Sequence, residues 1–229
     1  MDEYTDSPRM KVADWGKLAQ ARLDELRADG ELNLHPVHEK SRKLAKNAWG
    51  SAWMRQLAYC EQEGFSLAAG RSLLRHGCVL DVQLGRGTID ALVSGEELYE
   101  IHLTLDEPEA EKVEQLRSQC GAHIDSLVAL LDGQIDAAVM QQLCDPEEGL
   151  LPLPHEWHMD CNCPDWNEPC PHAAAAIYAA GCLIDREPRL LFTLRGIEPS
   201  TLCEVPSGKL DDFDAQDLAN TFGIDIDLA

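Results

Sequence analysis

Three cysteines and a histidine crowd the stretch "DCNCPDWNEPCPH": Cys161, Cys163, Cys170 and His172. Their spacing, C-x-C-x6-C-x-H, gathers four sulfur and nitrogen donors in one short loop. Zinc takes such a set in a tetrahedron with bonds of about 2.0–2.3 Å. Two ligands one residue apart meet a single ion only where the backbone curls around it. Pro164 and Pro171 each directly follow a cysteine, and proline suits a sharp bend because it has no N–H to leave unpaired. His172 then opens a helix, "HAAAAIYAA", with Gly181 as its stop signal. Its alanines leave little bulk, so the helix could lie close to the loop or to a neighbour. Three thiolates and a neutral imidazole around a dication leave a local charge of −1, which N–H groups of the loop and helix start can spread. The imidazole nitrogen that does not bind metal needs an acceptor, and Asp165 or a backbone carbonyl could serve. Two other readings stay open. The residues could be buried free thiols with a core histidine, or they could hold an iron–sulfur cluster, which usually takes four thiolates.

Four ligands close the shell, whereas a catalytic zinc keeps three protein ligands and an open position. A zinc deaminase would show H-x-E and P-C-x-x-C; "PCPH" departs from that. "HEWH" (155–158) is too short for H-E-x-x-H, although His155 and His158 could extend or exchange a ligand. No phosphate loop, G-x-S-x-G or dinucleotide fingerprint occurs. The expectation is therefore a protein that is not an enzyme. The other six cysteines (Cys60, Cys78, Cys120, Cys144, Cys182, Cys203) sit in apolar or isolated contexts and read as small buried hydrophobes.

The elements that must hold this loop come from a chain of 229 residues, 45% of them hydrophobic, enough for a core without cross-links. Nine cysteines is an odd number, against a complete disulfide framework. With no signal-like start and no apolar run near ~20 residues, the expected location is the cytoplasm, where thiols stay reduced. The net charge is −22, from 41 acids against 19 bases, and it is polarised. Residues 35–90 carry eight bases and five acids, whereas residues 91–160 carry sixteen acids and two bases.

Asp14 could cap a first helix of about fifteen residues, ended by Asp29-Gly30. A linker follows over 31–48, with Pro36 and the basic run "KSRKLAK". Trp49, Trp53, Leu57 and Cys60 then mark one face of a helix stopped by Gly64, with the tryptophans as core. Over 78–105 the period changes to two, with turn residues at 85–87 and 94–97, which predicts a three-stranded antiparallel meander with one buried face. Pro108 opens an acidic helix to about Cys120. Two short helices, about 122–132 and 134–143, should help cover the meander, and 144–154 reads as a loop. The expected class is α+β. The organisation is an N-terminal helix and basic linker (1–45), a helical and β-meander region (46–150), the metal finger (151–198) and an acidic C-terminal tail (199–229).

Beyond the ligands, the ordered segments "AWGSAWMRQLA", "GRSLLRHGCVLDVQLGRGTIDALVSG", "CNCPDWNEPCPHAAAAIYAAG" and "DREPRLLFTLRGI" resemble bacterial SWIM zinc-finger family proteins over roughly residues 45–197. The resemblance implies a small SWIM-type finger with zinc on Cys161, Cys163, Cys170 and His172. It also implies a module used for contacts with DNA or protein, and a functional link to a Swi/Snf-type helicase-like ATPase.

The leading expectation is a zinc-organised, non-enzymatic adaptor for a protein partner, with Arg71, Arg75, Arg86 and Trp166 as candidate contact residues. Trp166 stands between two ligand pairs and is either core packing or, if exposed, partner surface. One alternative is a nucleic-acid binder using a basic stripe of Lys40, Arg42, Lys43, Lys46, Arg71, Arg75 and Arg86. DNA binding would then be weak at ~150 mM salt and fall steeply as salt rises, because the acidic blocks oppose phosphate. Another alternative is a metal-stabilised fold acting through the tail "LDDFDAQDLANTFGIDIDLA", whose spaced hydrophobes among aspartates could dock into a basic groove. No small-molecule substrate and no membrane are expected.

Overall fold

The computed structural model describes residues 12–30, 34–124 and 126–203. The acidic tail from residue 204 onward lies outside them.

Helix α1 (Val12–Ala28) begins two residues before Asp14, which sits in its first turn and pairs with Lys17 rather than capping the helix. Helix α2 (Ala48–Gln62) follows the basic linker. Its N-terminus is not capped by its own Asn47 but by Asp185, far along the chain. The Asp185 carboxylate accepts from the Lys46 and Asn47 N–H groups at 2.9 and 2.7 Å. A carboxylate there satisfies orphan amides and meets the positive end of the helix. Trp49 and Trp53 are buried, as their spacing predicts. Their indole N–H groups donate to the carbonyls of Leu130 and Ile177. Helix α3 (Ala68–Arg75) leads into the sheet.

The meander is present as β1 (Val79–Gly85), β2 (Thr88–Ser94) and β3 (Leu98–Leu105), each antiparallel to the next. The expectation of three strands is corrected. A fourth, β4 (Trp157–Cys161), pairs with β3 at the sheet edge, in the order β1-β2-β3-β4. Its five residues alternate in burial, though only Trp157 is fully buried; the run is too short to stand out after the proline loop, and about fifty residues separate it from its partner.

Between these strands come α4 (Ala110–Cys120), α5 (Leu127–Asp132) and α6 (Ala137–Leu143). Helix α4 packs against α6, and α4 and α5 both pack against the 3-10 turn Pro199–Leu202. The main cover on the inner face of the sheet is instead α7 (Pro171–Arg186), which touches all four strands, with α8 (Arg189–Leu194) beside β1. One buried cluster runs from Val37 to Leu202 and includes residues of the meander, the helices and the metal loop.

The alanine run gives α7 its central place, because a thin helix can be approached on every side. A Cβ on Gly70 of α3 would lie 2.4–2.5 Å from backbone and side-chain atoms of Ala174 and Ala175. Gly181 does not stop the helix; it lies inside α7, and a Cβ there would fall 2.3 Å from the Trp53 ring. The glycine serves close packing, not a left-handed cap. Gly70→Ala is therefore expected to force α3 off α7 and cost about 1–3 kcal/mol. Thermal melting checks this, and an unchanged midpoint would contradict the close approach.

Candidate metal centre

The four candidate ligands come from three neighbouring pieces of backbone at one end of the sheet. Cys161 is the last residue of β4, opposite Ile101. Asn162 then extends the pairing through its side chain: its Oδ1 accepts from the Glu100 N–H at 3.1 Å. Its own N–H reaches the Glu100 carbonyl at 3.4 Å. That anchor ends the ladder and lets the chain bend, so Cys163 turns toward Cys161 instead of running on along a strand. Cys170 is the N-cap of α7, its Sγ accepting from the Ala173 N–H at 3.4 Å. Pro171 and His172 form the first turn of that helix.

One ligand atom from each of Cys161, Cys163, Cys170 and His172 lies within 4.8 Å of the others. Such a group could hold a single metal ion. The donors fit that role on two counts. Nδ1 of His172 is buried and has no hydrogen-bond partner, a cost that metal ligation would remove. The Cys170 thiol is held well below the ordinary thiol range by the Cys161 thiol beside it, against its own burial and with help from His172 and the Ala173 N–H. Cys161, which shares that contact, is pushed up correspondingly. Cys163 is raised as well, chiefly by burial, so the cluster favours a single thiolate, on Cys170. Elsewhere burial drives thiols the other way, with Cys60, Cys144 and Cys182 pushed up to about 12 and Cys78 to about 11. Those four stay protonated and buried, as small hydrophobes do.

The surroundings of the imidazole were not foreseen. Asp165 does not reach it; its carboxylate accepts from the backbone and side-chain amides of Asn167. The ring instead stacks on Tyr99, centroids 4.0 Å apart. Its Nε2 lies 3.0 Å from where a Cβ on Gly95 would stand. The β2–β3 turn is thus a wall of the site, and a side chain at Gly95 would crowd both this ring and that of Tyr99, 2.9 Å from the same point. The one hint in the sequence is the glycine in "SGEE" (94–97). His155 and His158 take no part: both are exposed, and His158 contacts Asp106 at 2.9 Å.

The candidate contact residues divide between the two ends of the sheet. Trp166, in the loop between the ligand pairs, is 97% exposed. Arg71 and Arg75 lie on α3 near the metal end. Arg71 is engaged, donating to the Tyr178 hydroxyl at 2.9 Å with its guanidinium over that ring. Arg86 is at the opposite end, in the β1–β2 turn, paired with Glu107 at 2.9 Å. A seven-residue strand, about 20 Å long, separates it from Arg75. The outer face of the sheet is acidic. Asp81, Asp90, Glu100 and Asp160 line an open groove of about 440 Å³ there, with His102 among them. Among the described residues, no helix is long and apolar enough to cross a membrane.

No family model matches the chain, and no solved structure does. Among curated proteins it is similar to "Uncharacterized protein Rv2102" of Mycobacterium tuberculosis, at 28% identity over 170 residues. The match covers 69% of this chain and 58% of that protein, so the chain spans less than two thirds of the length of this relative.

Proposed function

We propose that this protein is a zinc-organised, non-enzymatic interaction module of SWIM type, and that it serves as an adaptor for a protein partner. Three thiolates and one imidazole favour zinc over the oxygen-seeking cations. Four protein ligands leave it no open position for substrate, so its work is structural. The observation that carries the partner reading is Trp166. Tryptophan is the side chain most often found as the energetic anchor of an interface, and this one stands 97% exposed on a loop whose two ends would be metal ligands. Zinc would hold that loop rigid and so lower the ordering cost of binding.

The surface beside the loop specifies the partner's chemistry. A cavity of about 350 Å³ is lined by Trp15, Leu73, Tyr99, Pro164 and Pro171, with Glu96 among them. An apolar side chain flanked by a cation would complement this cavity and Glu96. The acidic groove on the outer sheet face likewise suits a basic protein surface better than phosphate. A Swi/Snf-type helicase-like ATPase, the partner implied by the SWIM resemblance, is the first to test. The nucleic-acid alternative is supported less, because Arg71 and Arg86 are engaged within the chain and the latter is remote from the metal end.

The test is capture of a purified ATPase of that class by the loaded protein after nuclease treatment. Trp166→Ala is expected to weaken capture about tenfold or more, as loss of a central aromatic anchor does, with zinc content and melting temperature unchanged. Equal capture by the variant would sink this face as the docking surface. Capture that disappears with nuclease would favour the nucleic-acid reading.

A further inference from the structure

We propose that Arg22, on the N-terminal helix, is a positioning residue for the metal centre, acting through the turn that walls in His172. This rests on the metal-centre reading above and deepens it. Among the described residues, the Arg22 guanidinium is aimed at one turn. Nη1 donates to the Ser94 hydroxyl at 2.8 Å, the Gly95 carbonyl at 3.1 Å and the Glu97 carbonyl at 2.7 Å. Nη2 donates to the Glu96 carbonyl at 2.8 Å. Three consecutive carbonyls therefore converge on one cation, in a turn that also carries the side-chain charges of Glu96 and Glu97. Without the cation these dipoles and charges repel one another, and the turn opens to let water between them.

The position of this turn matters to the ligands for a steric reason. A Cβ on Gly95 would stand 3.0 Å from the His172 Nε2 and 2.9 Å from the Tyr99 ring, so the turn lies close beside the imidazole, and Tyr99 carries the ring on its face. The Gly95 N–H donates to the Glu97 carbonyl at 2.8 Å, so the three residues move as one unit. A turn that relaxes releases the imidazole from both surfaces. The ligand then spends part of its time in other orientations, which weakens metal binding without removing any donor. The relation is reciprocal: metal that fixes the imidazole also fixes the turn, and so holds α1 down. Helix α1 has a separate apolar seat, Ala19 and Leu23 against Leu80, which makes the clamp separable from helix docking.

Cobalt(II) titration of the full chain, read by the thiolate-to-metal and visible ligand-field bands, tests this. The wild type is expected to saturate at one ion per chain with tetrahedral bands. Arg22→Ala should bind about tenfold more weakly, and Arg22→Lys, which keeps the charge but not the fork, should recover part of the loss. Leu23→Ala, on the same helix, should lower the melting temperature and keep the wild-type affinity. Hydrogen exchange of the α1 amides should slow on metal loading in the wild type and not in Arg22→Ala. Equal affinity in Arg22→Ala and the wild type would overturn the clamp alone, as would an equal loss in Leu23→Ala. A wild-type chain that takes up no cobalt would overturn the metal centre itself, and the clamp with it.

Discussion

Cys163→Ser is expected to cost about 4 kcal/mol or more of folding stability, the range reached when a bound metal is lost. For a chain of this size that lowers the melting temperature by about 10 °C. Cys163 is a cleaner probe than Cys170, whose Sγ also caps α7, so that substitution would remove a cap and a ligand together. The damage should be local at first. Residues 164–168 are all exposed and have little besides the ligands to hold them, whereas the cluster from Val37 to Leu202 has its own buried surface. Chelation should therefore raise hydrogen exchange over 161–173 before the meander or α2 responds. The sign with pH follows from the ligands: thiolates and a neutral imidazole bind, so protons compete and the metal is released as pH falls. Metal analysis should find one zinc per wild-type chain. A wild type whose melting temperature is unmoved by chelator, with no metal in the purified protein, would contradict a structural zinc.

The cluster that could hold a metal was legible because coordination needs few residues at short spacing, and Cys161, Cys163, Cys170 and His172 offer them within one loop. The meander was legible because apolar residues recur at every second position through most of β2 and β3 and part of β1, despite a bulge at Val79/Asp81, and turn residues join the strands. What could not be read depends on contacts between distant segments. Strand β4 exists because β3 offers it an edge; Trp157, Met159 and Cys161 do alternate with His158 and Asp160, but a run of five residues between a proline loop and the metal loop is too short to stand out. Asp185 caps a helix that begins 137 residues earlier, and nothing local marks it for that task. Gly181 looked like a helix stop because glycine is common there, yet the indole of Trp53 sets its identity. Arg22 meets its turn across 72–75 residues. Trp166 was ambiguous for the opposite reason: an aromatic ring in a metal loop is equally at home inside or outside, and only the fold decides.

The end of the sheet away from the metal holds the second large effect. Arg195 follows α8 and is 1% exposed. Its Nη2 donates to the Glu156 carboxylate at 2.7 Å, and its Nη1 to the Asp106 carbonyl at 3.2 Å. The other Glu156 oxygen accepts from the Leu153 N–H at 2.6 Å. One buried ion pair thus ties the end of α8 to the ends of β3 and the start of β4. Removing either partner strands a charge in the core, so Arg195→Met or Glu156→Leu alone is expected to cost about 3–5 kcal/mol. The double variant should cost less than the two singles together, because no uncompensated charge remains. It should not return fully to wild type, since the Asp106 carbonyl and the Leu153 N–H each lose a partner. Strand β4 puts about 17 Å between this pair and Cys161. All three variants should therefore bind one metal ion with wild-type affinity while melting earlier. Thermal melts with a cobalt titration on the same samples check both halves. Additive single costs would mean that the two groups are not coupled, and a parallel loss of metal affinity would mean that β4 transmits strain from one end of the sheet to the other.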